Sequence, residues 1–292
     1  MTEPTTHALD VPGARIAYDV RGDLADRGAA GAVLLLIASP MDAVGFGSLA
    51  AQFTDRAVVT YDPRGVARST RTDGSGELSP DDHAADLHRL VEALGVGPVD
   101  VFASSGGAVN GLAWVAAHPQ DVRTLVAHEP PIFDVLPDRV AALSVVEDIH
   151  DTYLRSGMGP AMAKFIAIVG HQGEIPADHT ARPAPDPAAF GLPTEDNGSR
   201  GDALLGQNLR GCTGYWPDFA VVAAAPTRVV IAGGESSTGE PAGRAAAGVA
   251  ERLGTEVTSF PGDHAGFLGG EYGMHGEPEA FAARLREVLA EY

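Results

Sequence analysis

The chain has 292 residues, of which 45% are hydrophobic and 20% charged, the composition of a folded globular protein rather than a disordered one. Its 39 acidic residues against 20 basic ones give a net charge of −19, which repels phosphate backbones and anionic lipid heads and argues against nucleic-acid and membrane-surface partners. At about 150 residues per domain, the length suits two domains or one large domain with an insertion.

The longest apolar runs, 32–38 and 219–225, fall well short of the ~20 residues a membrane-spanning helix needs. The first ten residues, MTEPTTHALD, lack the basic start and apolar stretch of a secretion signal. Cys212 is the only cysteine, so neither an intrachain disulfide nor a cysteine-based zinc site can form. A cytoplasmic monomer or homodimer without metal or cofactor is the expectation.

In chain order, short β-rich runs alternate with helical stretches. Arg15 to Val20, Ala32 to Ala38, Ala57 to Tyr61, Val99 to Ala103 and Thr124 to Ala127 read as strands, followed much later by Arg228 to Ala232 and Glu256 to Phe260. Continuous apolar runs of this kind suit strands covered on both faces, hence a mainly parallel sheet. Helices are predicted over Phe46 to Phe53, Asp81 to Leu94, Gly107 to His118, Ala242 to Leu253 and Pro278 to Tyr292. Ser79-Pro80-Asp81 opens the second of these with a capping residue and proline, and Gly95 closes it. Repeated strand–helix units predict an α/β fold with right-handed crossovers.

The alternation stops near Pro130-Pro131 and resumes near Pro226. Helical periodicity over Arg139 to Leu154, Met162 to Val169 and Ala203 to Leu209, with a Pro-, Gly- and Asp-rich loop over 181–202, marks 132–217 as a helical insertion. The sheet domain is then 1–131 together with 218–292.

One segment carries chemistry. Val99 to Ala103 is a strand, Gly107 to His118 a helix, and between them stands Ala103-Ser104-Ser105-Gly106-Gly107. Small-x-Ser-x-small between strand and helix is the pattern of a nucleophile elbow. The serine occupies a strained turn, and its neighbours must be small so that strand and helix can approach. Ser105 would stand exposed above the sheet edge, with the Gly106 N–H aimed at the same spot. The bland alternative is a small-residue turn without chemistry.

With this motif in place, the chain resembles the α/β-hydrolase family over nearly its whole length outside 132–217. Tyr61-Asp-Pro-Arg-Gly65 looks like the family's Asp-x-Arg-Gly turn, with Asp62 and Arg64 tying loops together. Ile37-Ala-Ser-Pro40 stands where the family usually carries His-Gly-x-Pro. The resemblance implies an oxyanion hole built from backbone N–H groups, here of Ser39 and Gly106, with Met41 as the fallback for Ser39. It also implies a helical cap at 132–217, in the place where the family sets substrate choice. Met158, Met162, Phe165, Ile166 and Trp216 there could line an apolar pocket or pack the cap's own core.

The serine needs a base, and the resemblance points to His264, in Phe260-Pro-Gly-Asp-His-Ala-Gly-Phe267 after the last strand. The orienting acid is expected after the penultimate strand, where Val229-Val-Ile-Ala-Gly-Gly-Glu235 ends in Glu235. Glu129 is the alternative acid, with Glu240 and Asp263 as further rivals; Asp263 would have to contort the backbone to reach its own neighbour's ring. The expected activity is metal-free hydrolysis of an ester, lactone or thioester of a small apolar molecule, by Ser105, His264 and Glu235. Peptidase, C–C hydrolase, perhydrolase or acyltransferase chemistry on the same residues stays open, as does a slow-turnover small-molecule receptor. No dinucleotide or Walker loop follows the early strands.

Overall fold

The computed structural model describes residues 3–25, 31–74 and 76–291. Among the described residues, nine strands form one sheet: β1 (Thr5–Val11), β2 (Ala14–Arg21), β3 (Leu34–Ser39), β4 (Val58–Tyr61), β5 (Thr70–Arg71), β6 (Val99–Ser105), β7 (Val122–His128), β8 (Arg228–Gly234) and β9 (Thr258–Phe260). Their order is β1-β2-β4-β3-β6-β7-β8-β9, with β5 beside β2. From β4 to β9 every pairing is parallel, whereas β1 and β2 join the edge antiparallel.

The apolar runs explain the centre of this sheet. All of β3 and β4 is buried, because helices cover both faces and leave no solvent side for polar residues. On one face lie α2 (Pro80–Leu94) and α3 (Gly106–Ala117), with Leu87, Leu90, Leu112 and Trp114 in the core. On the other lie α1 (Gly47–Gln52) and α9 (Pro278–Ala290), meeting at Phe46, Leu49, Phe102, Phe281 and Leu285. The α2 N-terminus carries a full capping box between Ser79 and Asp82, and Gly95 ends the helix at φ 63°, the left-handed geometry glycine supplies cheaply. Two strands escape the sequence reading, β1 and the two-residue β5. β1 lies at the sheet edge with six of its seven residues at least partly exposed, so no buried face imposes an apolar pattern on it.

Between β7 and β8 the chain leaves the sheet. Among the described residues, 132–217 contain no strand; α4 (Arg139–Ser156), α5 (Met158–Val169), a π-helical turn at Ala203–Asn208 and α6 (Leu209–Thr213) occupy the stretch. These pack on a further cluster that includes Phe133, Ile149, Tyr153, Ile168 and Leu205 and reaches Ala245 beyond the stretch. Met158, Met162 and Phe165 lie against that cluster, while Ile166 and Trp216 are exposed. A short α7 (Phe219–Ala224) leads back to β8, and α8 (Pro241–Leu253) covers the sheet beyond it. Among the described residues, no helix is long and apolar enough to cross a membrane.

Candidate active site

β6 ends in a sharp turn. Ser105 takes φ 56° and ψ −129°, a strained conformation for a residue with a side chain. The surroundings enforce it. A Cβ on Gly107 would fall 2.5 Å from the Ala38 Cα, and one on Gly106 would fall 2.5 Å from the Ser39 carbonyl oxygen. A Cβ on Gly111, one turn along α3, would sit 2.9 Å from Leu125 and 3.5 Å from the Ala103 Cβ. The small residues around Ser105 are therefore what lets α3 descend onto β3, β6 and β7. Ser39 and Ser105 are paired across the β3–β6 ladder, so Ser39 and Gly106 adjoin at the head of the turn. The Ser39 hydroxyl is buried without a partner among the described residues.

The Asp62–Arg64 turn braces the loop after β3. The Asp62 carboxylate accepts from the Ala43 N–H at 2.9 Å and from Arg68, while Arg64 makes a two-point pair with Asp86 at 2.6 and 2.7 Å. Neither Asp62 nor Arg64 lies open to solvent.

His264 stands in the loop after β9, and the end of β8 brings that loop in. A Cβ on Gly234 would fall 2.8 Å from the Asp263 backbone. The two loops are also joined by the Glu235 N–H to the Phe260 carbonyl at 3.0 Å and the Ser236 N–H to the Gly262 carbonyl at 2.9 Å.

The carboxylate in contact with His264 is not Glu235, the one expected from the sequence. Glu235 is exposed, and its backbone N–H bonds to the Phe260 carbonyl. The carboxylate that meets His264 belongs to Glu129, whose Oε2 lies 2.6 Å from His264 Nδ1. Glu129 follows β7 directly, its N–H bonding to the Ala232 carbonyl at 2.9 Å. Its backbone turns left-handed at φ 49° and sends the side chain across the end of β8. The correction has a simple cause: β8 ends in Gly233-Gly234, which leaves the space at its tip to a carboxylate from the neighbouring strand. The other rivals are occupied elsewhere. Asp263 accepts from the Ala265 N–H at 2.8 Å, and Glu240 accepts from the Gln172 amide at 3.4 Å.

Glu129 is completely buried. Burial pushes its carboxyl pKa up, yet the His264 hydrogen bond, the neighbouring histidines and the Ser237 hydroxyl outweigh this and hold it at about 2. Burial pulls His264 toward the neutral form, but the Glu129 hydrogen bond and charge, with Glu240 and Asp263 behind it, leave its pKa raised. His128 is a different kind of histidine. Fully buried beneath the site among Phe102, Phe260, Phe267 and Phe281, it is held neutral by burial, with its pKa down at about 4.

Among the described residues, one group could gather ligand atoms for a metal: His88, His118 and Asp121. It lies at the far end of α3, about 18 Å of helix from Ser105 at ~1.5 Å per residue. Its imidazoles stack face to face with centroids 3.8 Å apart, and His88 Nδ1 bonds to Asp121 at 2.7 Å. An ion bound in the plane of one ring would lie out of the plane of the other, so this is a hydrogen-bonded stack rather than a ligand set.

The chain is 30% identical over 289 residues to "Uncharacterized hydrolase YraK" of Bacillus subtilis (strain 168), covering 96% of this chain and 94% of that protein. Residues 40–160 match the family model described as alpha/beta hydrolase fold. The chain belongs to the α/β-hydrolase family. Solved structures agree on the fold. The enol-lactonase from Burkholderia xenovorans LB400 superposes with a TM-score of 0.66 at 16% identity, over 98% of this chain and 100% of the other. A thermophilic esterase from Thermogutta terrifontis gives 0.66 at 17% identity, over 99% of both chains. This α/β-hydrolase thus keeps the family's sheet, with a buried glutamate after β7 in contact with His264.

Proposed function

We propose that this α/β-hydrolase cleaves carboxylic esters, lactones or thioesters of small, apolar molecules by a serine mechanism that needs no metal. The single observation that carries this reading is the 2.6 Å contact of His264 with the buried Glu129, in a chain whose Ser105 stands on a strained turn at the end of β6. Glu129 keeps Nδ1 of His264 protonated, so Nε2 is the free base. As the Ser105 Oγ attacks the carbonyl carbon, Nε2 takes the hydroxyl proton and the carbonyl π electrons move onto oxygen. The amides of Ser39 and Gly106 hold that oxyanion. Collapse expels the alkoxide or thiolate, which receives the proton from His264, and leaves Ser105 acylated. Water, deprotonated by the same nitrogen, then releases the acid and restores the serine. The helical stretch 132–217 serves as the cap that selects the substrate. The lactonase and esterase among its structural relatives are consistent with this substrate class.

The test is turnover on a panel of p-nitrophenyl esters of graded chain length, aryl lactones and acyl thioesters, beside Ser105→Ala. Hydrolysis by the parent and a loss of about 10³-fold or more in the variant are expected. Unchanged turnover by Ser105→Ala, or no hydrolysis of any member by the parent, overturns the proposal.

A further inference from the structure

We infer that Ser237 is a positioning residue that aims the Glu129 carboxylate, an inference resting on the reading of Ser105, His264 and Glu129 as one catalytic unit. Ser237 is fully buried in the loop after β8. Its hydroxyl donates to Glu129 Oε1, which also accepts the Gly234 N–H at 2.8 Å. The hydroxyl carries one proton and has two acceptors nearby, Glu129 Oε1 and the Gly234 carbonyl at 3.3 Å. Aimed at the carbonyl, it would set its own lone pairs against a buried charge. It therefore points at the carboxylate, in the stronger, charge-assisted bond.

The geometry has a purpose in the site. A carboxylate held by a single donor can swing about that contact, whereas two donors converging on Oε1 hold it in place. Oε2 is then left facing His264 Nδ1. The acid comes from β7 and its two donors from the loop of β8, so the space where Glu235 was expected instead holds the cradle for Glu129. The Oε2 contact that this aim secures is what raises the pKa of His264 against its burial.

The experiment measures kcat, KM and pH profiles for Ser237→Ala and Ser237→Cys, with Glu129→Gln alongside and Ser236→Ala, at an exposed neighbour, as the control. Ser237→Ala should lower kcat on the order of tenfold with KM within about twofold. It should move the acid limb of the profile downward and shift or broaden the low-field proton resonance of His264 Nδ1–H. Ser237→Cys, whose thiol is a weaker donor, should fall between, and Ser236→Ala should match the parent. Parental kcat, pH limb and resonance in Ser237→Ala, whatever its melting temperature, overturn the inference while a crippled Glu129→Gln leaves the triad standing. If Glu129→Gln is itself unimpaired, the triad reading fails and this inference falls with it.

Discussion

Replacing Glu129 by glutamine swaps one carboxylate oxygen for an NH2 group and changes little else in volume. The surroundings dictate which way the amide faces. Oε1 sits against two donors, the Gly234 N–H at 2.8 Å and the Ser237 hydroxyl. Turning the NH2 group toward them would oppose donor to donor in a fully buried site, so the amide oxygen keeps that place and the nitrogen faces His264. Nδ1 of His264 must then accept, which puts its proton on Nε2, the atom that should take the proton of Ser105. With the base in the wrong tautomer, kcat should fall by about 10²–10⁴-fold, or about 3–5 kcal/mol of lost transition-state stabilisation, with KM little changed. Glu235→Gln, at an exposed position, should cost less than tenfold on the same scale. The assay is steady-state hydrolysis of a p-nitrophenyl ester by purified variants whose melting curves match the parent. A large loss in Glu235→Gln with Glu129→Gln near parental would refute the tautomer argument and the placement of the acid.

Activity should be lost as pH falls through the His264 pKa, and because Glu129 raises that pKa the acid limb should lie above the ordinary histidine value of about 6.5. Glu129→Gln should bring the limb down, and a limb in the parent at or below the ordinary value would contradict the coupling. The same pair bears on stability. The Glu129 pKa is lowered from 4.5 to about 2 on folding, so its contribution is complete above the unfolded value and fades as pH falls toward the folded one. Urea melts should show the stability gap between parent and Glu129→Gln closing over that window. Gly107→Ala places a Cβ 2.5 Å from the Ala38 Cα and 2.8 Å from the Ile37 oxygen, backbone atoms that cannot move aside, and should cost about 1–3 kcal/mol or more. Gly170→Ala, with open space around it, should stay within about 0.5 kcal/mol of the parent in the same melts.

Much of this molecule could be read from residues alone, wherever local chemistry fixes the outcome. The buried strand β3 announces itself as an unbroken apolar run, and the Ser79–Gly95 brackets of α2 match its caps. The elbow is legible because only small residues allow the approach of α3 to β3. What escaped depends on partners distant in sequence. β1 carries no apolar signature because it lies at an exposed edge. Glu129 is adjacent to His264 only through the sheet order, 135 residues away along the chain, and through a left-handed backbone that its position before Pro130 does not suggest. Gly233-Gly234 followed by Ser237 was the available clue: a strand end stripped of side chains, with a hydroxyl nearby, is room for a carboxylate supplied from elsewhere.

The proposed hydrolysis stands or falls on Ser105 being an activated nucleophile. The measurement is labelling with a fluorophosphonate, followed by peptide mass spectrometry to locate the adduct and by the labelling rates of the parent and Glu129→Gln. The expected result is one phosphonylated residue, Ser105, formed far more slowly in Glu129→Gln than in the parent. An adduct on Ser104 or any other residue, or no adduct in a preparation that hydrolyses esters, would contradict the account.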